Sequence, residues 1–446
     1  MKAIFEKIFK LSKHATNIRT EIIAGITTFL TMSYIIVVNP SILSNTSMSF
    51  SGVLFATVLV CALSSVAMGL YTNLPFCIAP GMGINAFFTY ELVNGMGVSW
   101  ETALGAIFIS GIIFVILSLT GIRTEIVKAI PPSLRFGIAA GIGIFLSLIG
   151  LISVGFVVSD KATVVGFGGL NEKTILFLIG LIVTSVLVVK KVRGALTIGI
   201  VVTSLLALIF SYVGQTIGWL SYPLVLMPKG IFALPTLDVF FKLDIISALS
   251  LGMIMPVFAL FFVDMFDSIG TFMGLAEAAK LVDEDGIPKN VGKALLVDAF
   301  STTISGLLGT SSGTTYVESA AGIEEGGRTG LTAVVTGILF LPFMFLSPLL
   351  SFIPALATAP VLVIVGIFMM HPLMNFNWKN FEESVPVFLS VILIPFTYSI
   401  TQGVVWGFLS YTAIKLLLGK AKEVHWMLYI IDAFAIFSLV SPVINK

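Results

Sequence analysis

The sequence predicts an all-α polytopic membrane protein with fourteen spans in two groups of seven. Of its 446 residues, 57% are hydrophobic and 11% are charged, whereas soluble domains carry about 25% charged residues. Apolar runs recur along the whole chain, and most reach the roughly 20 residues that a helix needs to cross ~30 Å of hydrocarbon. The net charge of +1 leaves no electrostatic footprint for nucleic acid. We therefore expect the lipid bilayer as a partner and no nucleic acid.

Apolar windows between polar breaks define two series of spans. The first series comprises residues 21–43, 50–70, 74–92, 101–121, 134–155, 174–189 and 195–213. The second series comprises residues 245–275, 291–308, 310–325, 328–351, 357–371, 383–399 and 401–418. An odd number of spans per half places the halves in opposite orientations, so we expect a 7+7 inverted repeat. The tail at 425–440 is compatible with either an interfacial helix or a further crossing.

The distribution of Lys and Arg gives the orientation, because cytoplasmic loops are enriched in both. With the N-terminus inside, nearly all of the 24 basic residues fall on the cytoplasmic side. The opposite side holds only Lys161, Lys173, Lys229 and Lys242, with Lys446 unassigned. The N-terminal residues 1–20 are amphipathic and basic without a small-residue cleavage site, so we expect them to stay on the mature protein in the cytoplasm.

The third span of each group differs from its neighbours in being rich in Gly, Pro, Ser and Thr. These segments are residues 73–91 and 307–325, and each favours a short strand followed by a half-helix. Irregular backbone at membrane depth survives only where it is buried in protein or lines a cavity. Paired interruptions in two halves are the best sequence indication of a transporter site. The alternative is a pair of glycine-rich helices that pack closely, which we expect for Gly137 and Gly141.

Two carboxylates, Asp264 and Asp267, lie three residues apart in a long apolar run and so share a helical face. Two such groups in a low dielectric cannot both ionise cheaply, so we expect one of them to take up and release a proton. The alternative is a structural role, in which one carboxylate accepts hydrogen bonds from backbone amides or from a hydroxyl such as Ser268 or Thr271.

Glu318 and Asn85 occupy similar places in the two interrupted segments. A carboxylate beside a helix N-terminus, together with an amide, offers the acceptors and donors that the edge of a flat heterocycle requires. The alternatives are a helix cap for Glu318 and an interhelical hydrogen bond for Asn85. Phe87, Phe262 and Tyr316 have rings that could stack on a ligand, or could simply pack between helices.

The remaining ionisable and metal-binding residue types give weaker signals. Asp298 lies near hydroxyl residues, and a structural and a functional role are equally supported. At segment ends we expect solvated carboxylates, namely Glu91, Glu277, Glu324 and Glu325. Cys61 and Cys77 lie in apolar runs and are expected to be small core residues. His14, His371 and His425 form no ligand motif, so we expect no metal and no cofactor.

Four strings together resemble the AzgA-like purine permeases of the nucleobase/ascorbate transporter superfamily. They are EIIAGITTFLTMSYIIVVNPSIL (21–43), APGMGINAFFTY (79–90), FVDMFDSIGTFMGLAEAA (262–279) and GTSSGTTYVESAAGIEEGGRTGLTA (309–333). The likeness extends over nearly the whole chain. It implies a uracil-permease fold with a core domain, a gate domain and dimers formed through the gate domain. The implied ranges are an N-terminal segment 1–20, core 21–121 and 236–351, gate 122–230 and 352–420, and a tail 421–446.

The resemblance also implies roles for individual residues. Asp264 and Glu318 hydrogen-bond the purine, Asn85 shapes the third span, and Asp267 supports proton coupling. Three further candidates for contact with the substrate are Gly83, Thr315 and Ser319. The implied substrates are hypoxanthine, guanine and adenine.

The function expected from residues and resemblance together is import of a purine nucleobase by proton symport across the cell membrane. The residues leave open sodium as the coupling ion, and they do not select one purine. A sulfate-permease-like anion carrier of the same fold is the alternative, although Glu318 at a half-helix N-terminus would repel an anion. An intramembrane aspartyl enzyme using Asp264 and Asp267 is a third hypothesis, but a GxGD signature is missing.

Overall fold

The computed structural model describes residues 2–120, 129–220, 223–225, 230–281 and 290–444. Five of the 24 basic residues lie outside these ranges: Arg123, Lys128, Lys229 and Lys289, which were used for the orientation, and the unassigned Lys446. The predicted domain boundary at 121–122 also lies outside them.

The first half of the chain is built from helices joined by short connections. They are α1 (Lys2–Phe9), α2 (Ile18–Met32), α3 (Ile35–Leu43), α4 (Phe50–Thr72), α5 (Met82–Ala86), α6 (Trp100–Thr120), α7 (Pro132–Ser153), α8 (Glu172–Val189) and α9 (Ala195–Thr216). Polar side chains define several starts: Asn17 accepts from the Thr20 N–H at 3.0 Å and begins α2. The predicted first span is divided, because Ser33 and Tyr34 interrupt the helix between α2 and α3.

The second half of the chain is also built mainly from helices. Its helices are α10 (Ile245–Ala248), α11 (Ile254–Ala278), α12 (Val291–Leu308), α13 (Ser319–Glu324), α14 (Gly330–Phe340), α15 (Ser347–Leu350), α16 (Ala355–Met370), α17 (Phe381–Thr397), α18 (Ile400–Leu417) and α19 (Trp426–Ile444). Helix α12 ends at Gly309, whose φ of +91° is the left-handed conformation that glycine adopts without strain.

Among the described residues, nine helical segments are long and apolar enough to cross a membrane. They are Ile18–Thr46, Phe50–Thr72, Trp100–Thr120, Pro132–Ser153, Glu172–Val189, Ala195–Thr216, Leu251–Ala278, Val291–Leu308 and Ala355–Met374. The other predicted spans coincide with interrupted, shorter or less apolar helices. The chain is therefore a polytopic membrane protein, and the 7+7 inverted repeat stays a prediction. The predicted tail at 425–440 forms helix α19, which fits both alternatives considered for it, an interfacial helix and a further membrane crossing.

Both predicted interruptions contain a three-residue strand and a short helix. Strand β1 (Ile78–Pro80) precedes α5 and a π-helical turn (Phe87–Val93), and strand β4 (Gly313–Thr315) precedes α13. A separate hairpin, β2 (Val157–Asp160) and β3 (Val164–Phe167), lies in the connection before α8. In its turn, the N–H groups of Ala162 and Thr163 hold the pKa of Asp160 below its usual value.

Close helix contacts sort the spans into two sets. The first bundle consists of helices that pack mainly on one another: α2, α3, α4, α6, α11, α12 and α14. The second bundle consists likewise of α7, α8, α9, α16, α17 and α18.

Glycine permits the closest approaches between helices: a Cβ on Gly330 would lie 1.9 Å from the Gly69 carbonyl oxygen. Gly137 and Gly141 pack against Val387 and Ser390 of α17, which confirms their predicted role. Both cysteines are buried, as predicted.

Candidate functional site

The two interrupted segments meet at their strands. β1 and β4 pair antiparallel with Ala79 opposite Thr314, and both strands are fully buried. Further backbone hydrogen bonds flank the pair, from the Tyr316 N–H to the Cys77 oxygen and from the Gly81 N–H to the Ser312 oxygen, each at 2.9 Å. Both helices that follow therefore begin at this pair, and the side chains around it form the candidate site.

Asp264 lies on α11 beside the pair and is 0% exposed. Its Oδ2 accepts a hydrogen bond of 2.5 Å from the Thr302 hydroxyl, which comes from α12. Its Oδ1 is buried and has no hydrogen-bond partner among the described residues. An unpaired buried carboxylate oxygen is unfavourable, so this atom is free to bind a donor from a ligand or a proton.

Asp267 has different surroundings although it is one helical turn away. Its side chain is exposed, and the Thr314 hydroxyl of β4 lies 3.5 Å from its Oδ2. The Arg135 guanidinium of α7 lies 5.3 Å from the centre of the neighbouring Phe266 ring. Asp267 is therefore accessible, whereas Asp264 is fully buried.

Glu318 lies at the N-cap position of α13, yet its side chain makes no capping hydrogen bond. Its Oε1 accepts from the Tyr34 hydroxyl at 2.7 Å. The Tyr34 ring lies 6.5 Å from the Tyr316 ring, and the Tyr316 hydroxyl donates to the Pro80 oxygen at 2.5 Å. The capping role considered for Glu318 is thus not the one its side chain performs.

The other predicted site residues make contacts between protein segments. Ser311, which lies between α12 and β4, donates to the Asn85 amide oxygen, so that atom is bonded within the protein, although not to another helix. Ser319 Oγ accepts from the Cys77 N–H at 3.0 Å, and Thr315 Oγ1 donates to Asp298 at 3.0 Å. A Cβ on Gly83 would lie 2.8 Å from the Ile142 side chain. Their predicted contacts with a substrate stay predictions.

Phe262 is buried among aromatic rings. The centres of the Phe266 and Phe408 rings lie 4.5 and 5.0 Å from its own, and Phe408 belongs to α18. Phe262 therefore packs between the first and second bundles in this conformation.

Sequence reasoning missed three hydroxyl donors at this site: Tyr34, Thr302 and Thr314. The alternation of side chains along a strand could have predicted Thr314. Successive side chains point to opposite faces, so Thr314 points away from Thr315, which donates a hydrogen bond to Asp298. Tyr34 and Glu318 are 284 positions apart, and no local spacing predicts such a contact.

Glu91 corrects a prediction. It was expected to be solvated at a segment end, but it is 5% exposed and accepts hydrogen bonds from the first residues of α18. Asp298 is also buried and accepts from the hydroxyls of Ser268 and Thr315. The cause in both cases is tertiary packing, which brings donors from a distant part of the chain.

Within the described ranges, no cluster of three or more His, Cys, Asp or Glu side chains could hold a metal ion.

Apolar helices, two interrupted segments paired at their strands and carboxylates beside that pair define a polytopic membrane transporter rather than an enzyme. The sequence profile of the Permease family, Xan_ur_permease, matches residues 19–405. The chain belongs to this family.

Curated proteins named as permeases align over almost the whole chain. A putative permease of Methanocaldococcus jannaschii is 47% identical over 96% of both chains. The adenine permease AdeQ of Escherichia coli is 41% identical over 97% of this chain and 95% of its own. The guanine/hypoxanthine permease PbuO of Bacillus subtilis is 41% identical over 94% of this chain and 96% of its own. These names confirm the resemblance to purine permeases.

Solved structures share the fold at low sequence identity. The transmembrane domain of the cyanobacterial bicarbonate transporter BicA superposes with a TM-score of 0.63 at 16% identity, covering 88% of this chain and 97% of its own. The murine anion transporter Slc26a9 in its inward-facing state gives 0.64 at 10% identity, covering 94% and 72%. At such identities the likeness concerns the fold alone.

Proposed function

We propose that this protein imports purine nucleobases, namely hypoxanthine, guanine and adenine, by proton symport across the cell membrane. The observation that carries the proposal is Asp264, whose buried Oδ1 has no partner within the described chain and lies beside the β1–β4 pair. Relatives named adenine permease and guanine/hypoxanthine permease, at 41% identity, support the substrate class.

The proposed binding mode uses acceptors on both sides of the strand pair. Ring N–H and exocyclic amino groups of a purine are donors, and carboxylate oxygens of Asp264 and Glu318 are acceptors that match them. Tyr34 holds one oxygen of Glu318 and leaves its other oxygen for the base. The purine would complete the coordination of Asp264 Oδ1 and so remove an unfavourable buried group.

The proposed proton site is Asp267. It is exposed, one turn from Asp264, and its Oδ2 lies 3.5 Å from the Thr314 hydroxyl. A proton on Asp267 reduces the negative charge that two neighbouring carboxylates place in a low dielectric. The first bundle, as the core domain, would then move against the second, as the gate domain, in a homodimer.

Anion transport is the second candidate, since BicA, a bicarbonate transporter, shares the fold. The side chains at the strand pair disfavour it: Asp264, Asp267 and Glu318 are all acidic and would repel an anion by several kcal/mol at an effective dielectric near ~20. Competition with sulfate and bicarbonate distinguishes the candidates, because neither ion should reduce purine uptake.

The test is uptake of radiolabelled hypoxanthine into proteoliposomes with and without an inward proton gradient. We expect accumulation above the external concentration only with the gradient. Accumulation driven by a sodium gradient, in the absence of a proton gradient, would identify sodium instead of the proton as the coupling ion. No purine uptake under either gradient would reject the proposal.

A further inference from the structure

Glu91 lies at the end of the first interrupted segment, in the π-helical turn Phe87–Val93 that follows α5. Its carboxylate accepts hydrogen bonds of 2.6 Å from the Ser399 hydroxyl, 2.5 Å from the Ile400 N–H and 3.2 Å from the Thr401 N–H. These donors are the N-cap and first two residues of α18. A carboxylate there meets both unsatisfied amides and the positive end of the helix dipole.

This contact joins the two bundles. The turn that carries Glu91 packs against α3 and α6 of the first bundle, whereas α18 packs mainly against α17 and α7 of the second. Charge-assisted hydrogen bonds of this kind are about twice as strong as neutral ones. Any movement of one bundle past the other at this end must break them.

A cavity of about 570 Å³ lies directly beside the contact. Its lining includes Tyr90, Asn94, Tyr398 and Gln402 together with Glu91 itself. The Tyr90 and Tyr398 rings lie 6.4 Å apart in an edge-to-face arrangement. The cavity thus reaches Glu91, and the segment that carries Glu91 also carries α5, which follows strand β1 of the candidate site.

We propose that Glu91 is a positioning residue for transport: it latches the first bundle to the N-terminus of α18 and keeps the route from this cavity to the β1–β4 site closed. The inference rests on the proposed movement of the bundles. When the latch opens, water in the cavity solvates both the carboxylate and the exposed amides of α18. The cavity is then the vestibule through which a purine enters.

The latch is tested by the accessibility of a cysteine at the candidate site. Val317 is 55% exposed and adjoins Glu318, so Val317→Cys reports whether a reagent reaches the site. A membrane-impermeant maleimide is added from the face that carries the β2–β3 hairpin, and the rate of labelling is measured in proteoliposomes. The native cysteines are buried, and the chain without Val317→Cys measures their background.

We expect Glu91→Gln to raise this rate at least tenfold, because one of the two accepting carboxylate oxygens is replaced by an NH2 group, which cannot accept from the N–H groups of α18. Ser399→Ala, which removes one donor, should raise it less. Glu101→Gln is the matched control, since it removes a carboxylate from the first turn of the neighbouring α6. If Glu91 had a purely structural role, Glu91→Gln would lower the melting temperature of the protein and leave the labelling rate from this face unchanged.

Unchanged labelling in both Glu91→Gln and Ser399→Ala would overturn the latch. Should Glu91→Gln fail to fold, the rate in Ser399→Ala decides. Hypoxanthine uptake by the unsubstituted chain separates the two proposals. If there is no uptake but the variants change the labelling rate, the proposed substrate is rejected and the latch is kept. If uptake is normal but the variants leave the labelling rate unchanged, the latch alone is rejected.

Discussion

Asp264, Asp267 and Glu318 lie close to the β1–β4 pair but have different surroundings. Asp264 is buried with one oxygen unpaired in the described chain, Asp267 is exposed, and Glu318 accepts from Tyr34. A fully buried group can respond only to a ligand or a bound proton, whereas an exposed group is open to proton exchange. The three carboxylates are therefore not interchangeable.

Asp264→Asn should weaken hypoxanthine binding about tenfold to a hundredfold, since a hydrogen bond to a charged group contributes about 1.5–3 kcal/mol. Binding of labelled hypoxanthine to purified protein measures the effect. Asp160→Asn is the matched control, because it makes the same change in the exposed β2–β3 hairpin and should leave the affinity unaltered. Equal affinities for Asp264→Asn and the unsubstituted chain would contradict the proposed contact.

Asp267→Asn should separate binding from coupling. The variant carries a permanently neutral side chain, so we expect hypoxanthine exchange across the membrane to persist while accumulation driven by a proton gradient is lost. Counterflow and gradient-driven uptake in the same proteoliposomes measure the two activities. Retention of full gradient-driven accumulation would show that the proton binds elsewhere.

At the scale of elements, the sequence predicted the interruptions well and their partners poorly. Gly, Pro and hydroxyl residues in 73–91 and 307–325 signalled broken helices, and a strand with a short helix is present in each. The pairing of Ala79 with Thr314 could not be derived, because it joins distant parts of the chain. Glu91 was misjudged for the same reason: its donors at Ser399 and Ile400 come from another helix.

Close packing in the first bundle gives a stability prediction. Gly330→Ala should destabilise the protein by about 1–3 kcal/mol, the usual cost of overpacking, because its Cβ would lie 1.9 Å from the Gly69 oxygen. Gly292→Ala is the control, since open space surrounds that position on α12. Thermal unfolding in detergent compares the two. A melting temperature for Gly330→Ala equal to that of Gly292→Ala would contradict the packing.

For the whole molecule, the distribution of basic residues predicts a cytoplasmic N-terminus and an external β2–β3 hairpin. Lys161 and Lys13 are both exposed. In intact cells, an impermeant maleimide should label Lys161→Cys at once and Lys13→Cys only after the membrane is permeabilised. The reverse order would invert the orientation.

The strand pair packs within the first bundle, against α3, α4, α11 and α12, so the proposed movement of this bundle against the second would carry the proposed substrate and proton sites with it. The fold alone does not select the substrate, because BicA shares it. We propose that selection comes from the acidic side chains at the strand pair. Residue spacing singled out Asp264 and Asp267, and position in the broken segment singled out Glu318.

A structure with hypoxanthine bound is the most direct test of this assignment. We predict that the purine lies at the β1–β4 pair, with its N–H groups within hydrogen-bond distance of Asp264 and Glu318. A purine bound elsewhere, with Asp264 Oδ1 still unpaired, would contradict it.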